Sequence, residues 1–202
     1  MIKNSIKYLV LCVSAALLAS CATMTQEECQ HANWLDIGLK DGLSGEPMAT
    51  LDDRIGICRK AGIAVDTGRY VTGRDQGLQT YCRIENAVAL GLNGSYYAGA
   101  CPPMVDVEFR RRYELAHAVY QARTELAKID SRSDALQRQL RDIDLAEYKR
   151  VSESEKDEDR KHVRKEFDDR RSRLRSELFE LDRRARHARD ALRAAELALS
   201  GP

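Results

Sequence analysis

The stretch YVTGRDQGLQTYC, residues 70–82, holds the pattern that decides the fold of the first half of the chain. Steps of three, four and four residues separate Tyr70, Gly73, Gly77 and Tyr81, so on a helix these four positions share one face. Glycine inside a helix costs about 1 kcal/mol relative to alanine. Two glycines on one face therefore indicate a compensating contact, which is the close approach of a second helix beside the tyrosines.

A comparable face lies upstream, in the segment WLDIGLKDGLSG at residues 34–45. Its aromatic and glycine positions are separated by four, four and three residues, at Trp34, Gly38, Gly42 and Gly45. A weaker third copy follows the opening stretch, at Ala87, Gly91 and Gly94. The sequence therefore predicts several helices that pack through glycine-lined faces.

The composition changes sharply after Pro102-Pro103. Beyond these prolines, which stop a preceding helix, there is no cysteine, and no further glycine or proline occurs before Gly201-Pro202. Arginine, glutamate, aspartate, leucine and alanine dominate instead, as in long helices and coiled coils. The sequence thus predicts a mainly α protein with a small helical head at residues 21–103 and a helical tail at residues 104–202.

The tail contains two apolar series with the alternating three- and four-residue steps of a heptad seam. The first series is Leu115, Val119, Ala122, Leu126, Ile129, Ser133, Leu136, Leu140 and Ile143. The second is Phe167, Leu174, Leu178, Leu181, Ala185, Ala188, Leu192, Ala195 and Leu199, with Arg171 at its one missing position. The charged stretch between them predicts an antiparallel coiled-coil hairpin with its turn near residues 151–158. The alternative is one unbroken helix with a phase slip, paired with a second chain.

The chain opens MIKNSIKYLVLCVSAALLASC, residues 1–21. Two lysines precede an apolar run that is shorter than the ~20 residues of a membrane span, which predicts a cleaved export signal at residues 1–20. The end of this segment, LASC at residues 18–21, resembles the lipobox of bacterial lipoproteins, which implies lipidation of Cys21. Ala22, where an aspartate would mark retention in the inner membrane, implies the outer membrane, facing the periplasm. The alternative is an ordinary secreted protein with a chance cysteine.

Four cysteines remain after Cys21, an even number that predicts two disulfides in an oxidising compartment. Three pairings exist for Cys29, Cys58, Cys82 and Cys101, and the sequence does not choose among them. Pairing of the first two and of the last two is favoured because it keeps both loops local. A zinc site is the competing interpretation, but the four sulfurs lack the closely spaced ligand pairs of structural zinc sites.

Basic and acidic residues nearly balance, with 33 lysines and arginines against 32 aspartates and glutamates and a formal net charge of +1. A surface that binds nucleic acid normally carries a net basic patch, because neutralised phosphates supply the affinity. Mixed charge beside a coiled-coil seam is instead typical of a solvated face. No nucleic-acid partner is expected.

The spacing of the head motifs resembles a known family. The carrying motifs are W-x-x-x-G-x-x-D-G-x-x-G at residues 34–45, Y-x-x-G-R-x-x-G-L-x-x-Y-C at 70–82 and G-x-x-G…Y-x-G-x-C-P at 91–102, with Cys29 and Cys58 before and between the first two. They resemble a family of small bacterial lipoproteins that is known only as a domain of unknown function. The resemblance implies an envelope location and four ordered cysteines, brings no activity, and leaves the tail outside.

An enzyme in the head would need carboxylates or a nucleophile with a histidine. Asp36, Asp41 and Asp75 are carboxylates, but the residues beside Asp41 and Asp75 are Lys40 and Arg74, as expected of ion-pair groups. His31 is the only histidine of the head, and its cysteines are expected to be oxidised. The sequence therefore predicts no catalytic residue, no metal site and no cofactor.

The function expected from these features is that of a lipid-anchored envelope protein, structural or adaptor-like, which binds an envelope protein or peptidoglycan through its coiled coil. Two helices alone bury only a narrow stripe, so self-association through the coiled coil is also expected. The alternative is a glycan- or ligand-binding head with the tail as a spacer. In that case Trp34, Tyr70 and Tyr81 are the candidate binding residues, and their exposure to solvent discriminates the two hypotheses.

Overall fold

The computed structural model describes residues 24–201, so the predicted signal peptide and the predicted lipidation at Cys21 lie outside the described residues. The described part is helical and contains no strand, which confirms the mainly α fold. None of its helices combines the length and the apolar character needed to cross a bilayer. The helices are α1 (Gln26–Gln30), α2 (Trp34–Ser44), α3 (Ala49–Lys60), α4 (Thr67–Tyr81), α5 (Ile84–Leu92), α6 (Pro103–Glu153) and α7 (Asp157–Ser200).

The described residues divide into two compact units. Unit 1 contains residues 24–83 and 98–106, and unit 2 contains residues 84–97 and 107–201. This division differs from the predicted boundary between head and tail, because α5 groups with the long helices. The reason is local packing, since a Cβ atom on Gly91 of α5 would lie 2.5 Å from the carbonyl oxygen of Tyr113 in α6.

Unit 1 is a small helical domain crosslinked by two disulfides. They join Cys29 to Cys58 and Cys82 to Cys101, the pairing that the local-loop argument favours, with Cα–Cα distances of 5.6 and 5.7 Å. All four cysteines are buried. The zinc interpretation is therefore wrong, because the sulfurs bond to one another. The first disulfide belongs to a hydrophobic cluster whose other buried members are Trp34, Leu51 and Tyr70.

Several helix ends follow from short-range rules. Thr25 and Glu28 form a capping box at the start of α1. The Asp66 side chain caps α4 by accepting a hydrogen bond from the Arg69 amide at 3.0 Å. Pro103 is the first residue of α6, a position where the missing amide hydrogen has no helical partner to lose.

Unit 2 contains the predicted hairpin, because α6 and α7 pack in opposite directions. Arg123 near the start of α6 pairs with Glu196 near the end of α7, and Arg150 near the end of α6 pairs with Glu166 near the start of α7. Every position of the two predicted heptad series is buried or partly buried. The hairpin is confirmed, and the alternative of one unbroken helix is rejected.

The connection between the long helices is only three residues long, 154–156, and contains neither glycine nor proline. Arg160 closes it from the first turn of α7. Its guanidinium donates to the carbonyl oxygen of Ser154 at 2.9 Å and to that of Glu155 at 3.3 Å. One side chain thus satisfies two carbonyl groups that no longer have helical partners.

Candidate functional site

The two glycine faces pack against each other, with α2 parallel to α4. A Cβ atom on Gly38 would lie 2.8 Å from the carbonyl carbon of Tyr70, and one on Gly73 would lie 2.9 Å from that of Leu35. In both cases the carbonyl oxygen is closer still. Gly42 and Gly77 repeat the arrangement one turn further along. Only glycine fits at this crossing, so the predicted compensation for the helical glycines is confirmed.

A buried polar cluster joins this helix pair to α3. The Tyr70 hydroxyl donates a 2.6 Å hydrogen bond to Asp41, which is 7% exposed. Arg54 of α3 donates to the same carboxylate through both terminal nitrogens, one of them at 3.0 Å. Bidentate arginine–carboxylate pairs combine charge with a fixed geometry. The cluster therefore holds α2, α3 and α4 together.

The electrostatics of this cluster favour a structural role. Burial, together with the hydrogen bond to Asp41, raises the pKa of the Tyr70 hydroxyl above its usual range. The phenol therefore stays protonated and remains a hydrogen-bond donor at neutral pH. Burial opposes the charge of Arg54, but the hydrogen bonds that it donates to Asp41 and the negative charge of that carboxylate leave the pKa of the guanidinium raised. An arginine–carboxylate pair that also accepts a hydrogen bond from a phenol fixes the relative orientation of the three helices.

Arg74 is the second buried polar side chain of unit 1. Its guanidinium donates to the carbonyl oxygen of Glu46 at 2.9 Å and so fixes the loop that follows α2. Its Nε atom has no hydrogen-bond partner among the described residues. Cations are favourable beside the carboxyl end of a helix, which accounts for a buried arginine here.

The candidate binding residues of the sequence analysis lie inside the domain. Trp34 and Tyr81 are each 6% exposed and Tyr70 is 0% exposed. The Tyr81 ring covers Gly45, where a Cβ atom would overlap it. The side chains that were candidates for stacking on a sugar are therefore core residues of unit 1, and the hydroxyl of Tyr70 is already bonded to Asp41.

The other candidate groups are dispersed. Asp36 is exposed and accepts a hydrogen bond from the Asn33 side chain, while Asp75 and His31 are exposed. The expected pairing of Asp41 next to Lys40 is replaced by the pair with Arg54, thirteen residues away. The structure thus brings together Asp41, Arg54 and Tyr70, of which Arg54 escaped the sequence analysis because its partner lies on another helix.

Unit 2 has a comparable packing of α5 against α6. Gly94 has a positive φ of 70° and faces the ring of Tyr120. Any other residue there would strain the backbone, and its Cβ atom would overlap the ring. The ring of Tyr113 stacks on that of His117 at 5.4 Å. His117 in turn stacks on Tyr120 at 5.9 Å, giving a row of three rings along one face of α6. The third glycine copy therefore also marks a close contact.

A polar pair interrupts the hairpin seam. Arg171 fills the missing position of the second series, and Glu147 is the residue at which the first apolar series stops. The structure joins them by a hydrogen-bonded ion pair, to which Asp144 adds a contact at 3.2 Å. The hydrogen bonds that Arg171 donates to Glu147 and Asp168 raise the pKa of its guanidinium. The two positions that break the heptad pattern are thus paired with each other in the structure.

The outer face of α6 exposes large apolar side chains near the turn. Leu145 is 72% exposed and Tyr148 is 79% exposed, and their spacing of three residues puts them on the same side of the helix. Both lie outside the predicted seam. They are named here the outer patch. The signal for it in the sequence was the occurrence of apolar residues that the heptad series does not use.

Fold and side chains together define an all-helical protein made of a disulfide-bonded, glycine-packed domain and a coiled-coil hairpin. Residues 33–118 match a family described as protein of unknown function (DUF2799). A search of curated proteins and a search of solved structures gave no match. The family match agrees with the resemblance to a domain of unknown function.

The extent of the match corrects one expectation. It continues to residue 118 and so includes the first turns of α6, whereas the resemblance had left the whole tail outside. The packing gives a physical reason. The rings of Tyr97 and Phe109 pack in a tilted arrangement with centroids 4.7 Å apart, and Gly91 contacts the backbone at Tyr113. The segment around α5 thus needs this part of α6 as its packing partner.

Proposed function

We propose that this chain is a lipid-anchored protein of the bacterial outer membrane, facing the periplasm, which acts as a structural or adaptor module through its coiled-coil hairpin. The sequence LASC at residues 18–21 supports the anchor at Cys21. The two disulfides support an oxidising compartment. Several acyl chains on one cysteine would give firm attachment, since each buried methylene contributes about 0.8 kcal/mol.

The observation that carries the adaptor role is the outer patch. The hairpin fills its own seam with the residues of its two heptad series, yet Leu145 and Tyr148 remain exposed beside each other. An exposed tyrosine beside another apolar side chain is a typical anchor of protein interfaces. An envelope protein is the partner proposed for this patch.

The anchor would also strengthen a weak contact. A lipidated chain is confined to one membrane surface, so a partner in the same envelope meets it at a high effective concentration. Modest contacts at the outer patch then suffice for capture. This is the mechanism proposed for the adaptor.

Cross-linking in intact cells tests the outer patch. The full chain, Tyr148→Glu and Leu197→Glu are expressed at equal levels, cross-linked and purified from the envelope. Leu197 is the matched control, because it is 73% exposed on α7 but lies far from the outer patch. We expect Tyr148→Glu to lose a cross-linked envelope protein that the other two chains retain. Retention by all three chains, or equal loss from both variants, would contradict the proposal.

The anchor is tested separately with Cys21→Ser. We expect this variant to take up no labelled palmitate and to leave the membrane fraction, while its helix content stays unchanged. If the variant fractionates with membranes as the unchanged chain does, lipid anchoring at Cys21 is refuted.

In the cross-linking experiment, a product that contains only this chain would identify a homo-oligomer as the partner.

The alternative function, glycan or ligand binding by the head, receives no support from its three candidate residues. Trp34, Tyr70 and Tyr81 are buried, so they offer no aromatic platform to a sugar. The interpretation of the chain as a protein without enzymatic activity stays an expectation. Asp41, the buried carboxylate of unit 1, accepts hydrogen bonds from Arg54 and Tyr70.

A further inference from the structure

An apolar groove lies at the end of unit 1 where α3 stops and α4 begins. Its volume is about 430 Å³. The segment between the two helices supplies most of its lining, and Ala64 is exposed while Ile63 and Val65 are partly buried. Arg59 and Thr67 provide its polar edge. The segment 59–69, which contains the rim of this groove, is named here the basal surface.

The described chain begins at this same end of the domain. Met24 packs against the hydrophobic cluster that also receives Ile63 and Val65, and its sulfur lies 4.0 Å from that of Cys58. Cys21 precedes Met24 by three residues, which span at most about 11 Å when fully extended. An anchor at Cys21 would therefore bring the bilayer close to the basal surface.

The charge of the basal surface matches an anionic membrane. Arg59, Lys60 and Arg69 are exposed, and no ion pair involves them in the part of the chain that the structure describes. The opposing carboxylate within the segment is Asp66, which caps α4. Outside the segment, the nearest acidic residues of α3 are Asp52 and Asp53 in its first two turns. Lysine and arginine side chains near an anionic membrane surface are attracted to it.

We propose that the basal surface lies on an anionic phospholipid bilayer, with Ala64 and the exposed parts of Ile63 and Val65 at the interface and the three cations meeting lipid headgroups. This inference rests on the proposed lipid anchor at Cys21. It identifies the partner of unit 1 as the lipid surface itself. The outer patch on α6 remains the proposed contact for protein.

The opposite end of α4 offers an internal control. Because α2 and α4 are parallel, Leu43 at the end of α2 lies beside Gly77, whose Cβ atom would be 2.6 Å from the Leu43 amide nitrogen. Ten residues of α4 separate Gly77 from Thr67, which corresponds to about 15 Å along the helix. Leu43 is an exposed apolar residue, as a membrane contact would need, but it is placed away from the basal surface.

Tryptophan quenching measures the contact directly. Ala64→Trp and Leu43→Trp are made in the full lipidated chain, which otherwise contains one tryptophan, Trp34, as a common background. Both are reconstituted in vesicles of phosphatidylethanolamine and phosphatidylglycerol with brominated acyl chains. We expect the added fluorescence of Ala64→Trp to be quenched and that of Leu43→Trp to be unaffected. Equal quenching of the two, or none in either, overturns the basal surface.

A second experiment separates this inference from the anchor. The Cys21→Ser chain is added to phosphatidylglycerol-containing vesicles, alone and with Arg59→Gln or Arg83→Gln. We expect a binding constant about fivefold lower with Arg59→Gln, which corresponds to about 1 kcal/mol per cation, and no change with Arg83→Gln, an exposed cation beyond the other end of α4. Equal effects of the two substitutions overturn the basal surface. Lack of palmitate on the unchanged chain would instead refute the anchor.

Discussion

Substitution of Gly73 by alanine tests whether the glycine crossing holds unit 1 together. The new Cβ atom would lie 2.9 Å from the carbonyl carbon of Leu35 and from the amide nitrogen of Leu39, and closer still to the Leu35 oxygen. These are backbone atoms, so no change of side-chain rotamer can relieve the overlap, and α2 must move away from α4. Overpacking of this kind costs about 1–3 kcal/mol and occasionally more.

The opposing effect is known and smaller. Alanine is about 1 kcal/mol more favourable than glycine inside a helix. Because the overlap is with backbone atoms, its cost lies at or above the upper end of the ~1–3 kcal/mol range, and the variant loses stability overall. We expect Gly73→Ala to lower the free energy of unfolding of unit 1 by about 2 kcal/mol. Urea unfolding with the disulfides intact measures this value. The fluorescence of Trp34, the single tryptophan of the chain and a core residue of unit 1, reports the transition.

Gly56→Ala is the matched control. Gly56 also lies inside a helix, α3, but a Cβ atom there would meet nothing within 4 Å. Helix propensity alone then applies, and we expect this variant to be more stable by about 0.5–1 kcal/mol. The two substitutions are chemically identical and should differ in sign. If Gly73→Ala is as stable as Gly56→Ala, the crossing does not depend on glycine and the packing argument is refuted.

Three further perturbations address the polar cluster, the hairpin and the second disulfide. The raised pKa of Tyr70 gives stability that is complete below pH 10, the ordinary value, and is lost as pH rises through the folded-state pKa. Above pH 10, therefore, the unfolding free energy should fall more steeply for the unchanged chain than for Tyr70→Phe, by at most about 1.4 kcal/mol per pH unit. Parallel curves would contradict this. Arg171→Leu should lower the melting temperature of the hairpin, followed by circular dichroism, because Glu147 loses its partner inside the seam. Adding Glu147→Leu should restore it, and an unchanged single variant would refute the role of the pair. Replacing Cys82 and Cys101 by alanine should cost about 3 kcal/mol, as expected for a loop of 19 residues. An unchanged urea midpoint would argue against that constraint.

Periodic features of the chain were predictable from its sequence because periodicity reports which face of a helix is buried. Both heptad series, including the polar Ser133 and the short Ala185, point into the seam of the hairpin. The glycine faces were predictable for the same reason, since a cost in helix propensity needs a compensating contact. The disulfide pairing was favoured by loop length, since local closure costs less chain entropy, but the sequence left the other two pairings open.

Contacts between helices that lack a repeating pattern were not predictable. Asp41 has a lysine beside it in sequence, yet its partner is Arg54 on α3. Nothing in the sequence says that α3 folds back over the α2–α4 pair, so the ion pair could not be assigned. The grouping of α5 with the long helices was not predictable for a similar reason. Composition changes at Pro103, but the packing of α5 depends on the first turns of α6, where the composition is already that of the tail.

The polar pair in the hairpin shows how two apparent defects of a pattern specify the structure. A seam of leucine and alanine alone allows the two arms to slide by a heptad with little change in apolar contact. Sliding in one direction would set Arg171 opposite Leu140, and sliding in the other would set Glu147 opposite Leu178. Either shift leaves a partly buried charge against an apolar side chain, which costs far more than the exchange of one leucine contact for another.

The Arg171–Glu147 pair therefore disfavours both shifted registers, as single polar positions do in other coiled coils. Leu145 and Tyr148 flank Glu147 in sequence, within one turn of the ion pair. The two exposed apolar residues near the turn thus lie on the same helical turn as the ion pair of the seam. For the proposed adaptor role, the ion pair would supply the fixed support that a binding surface needs.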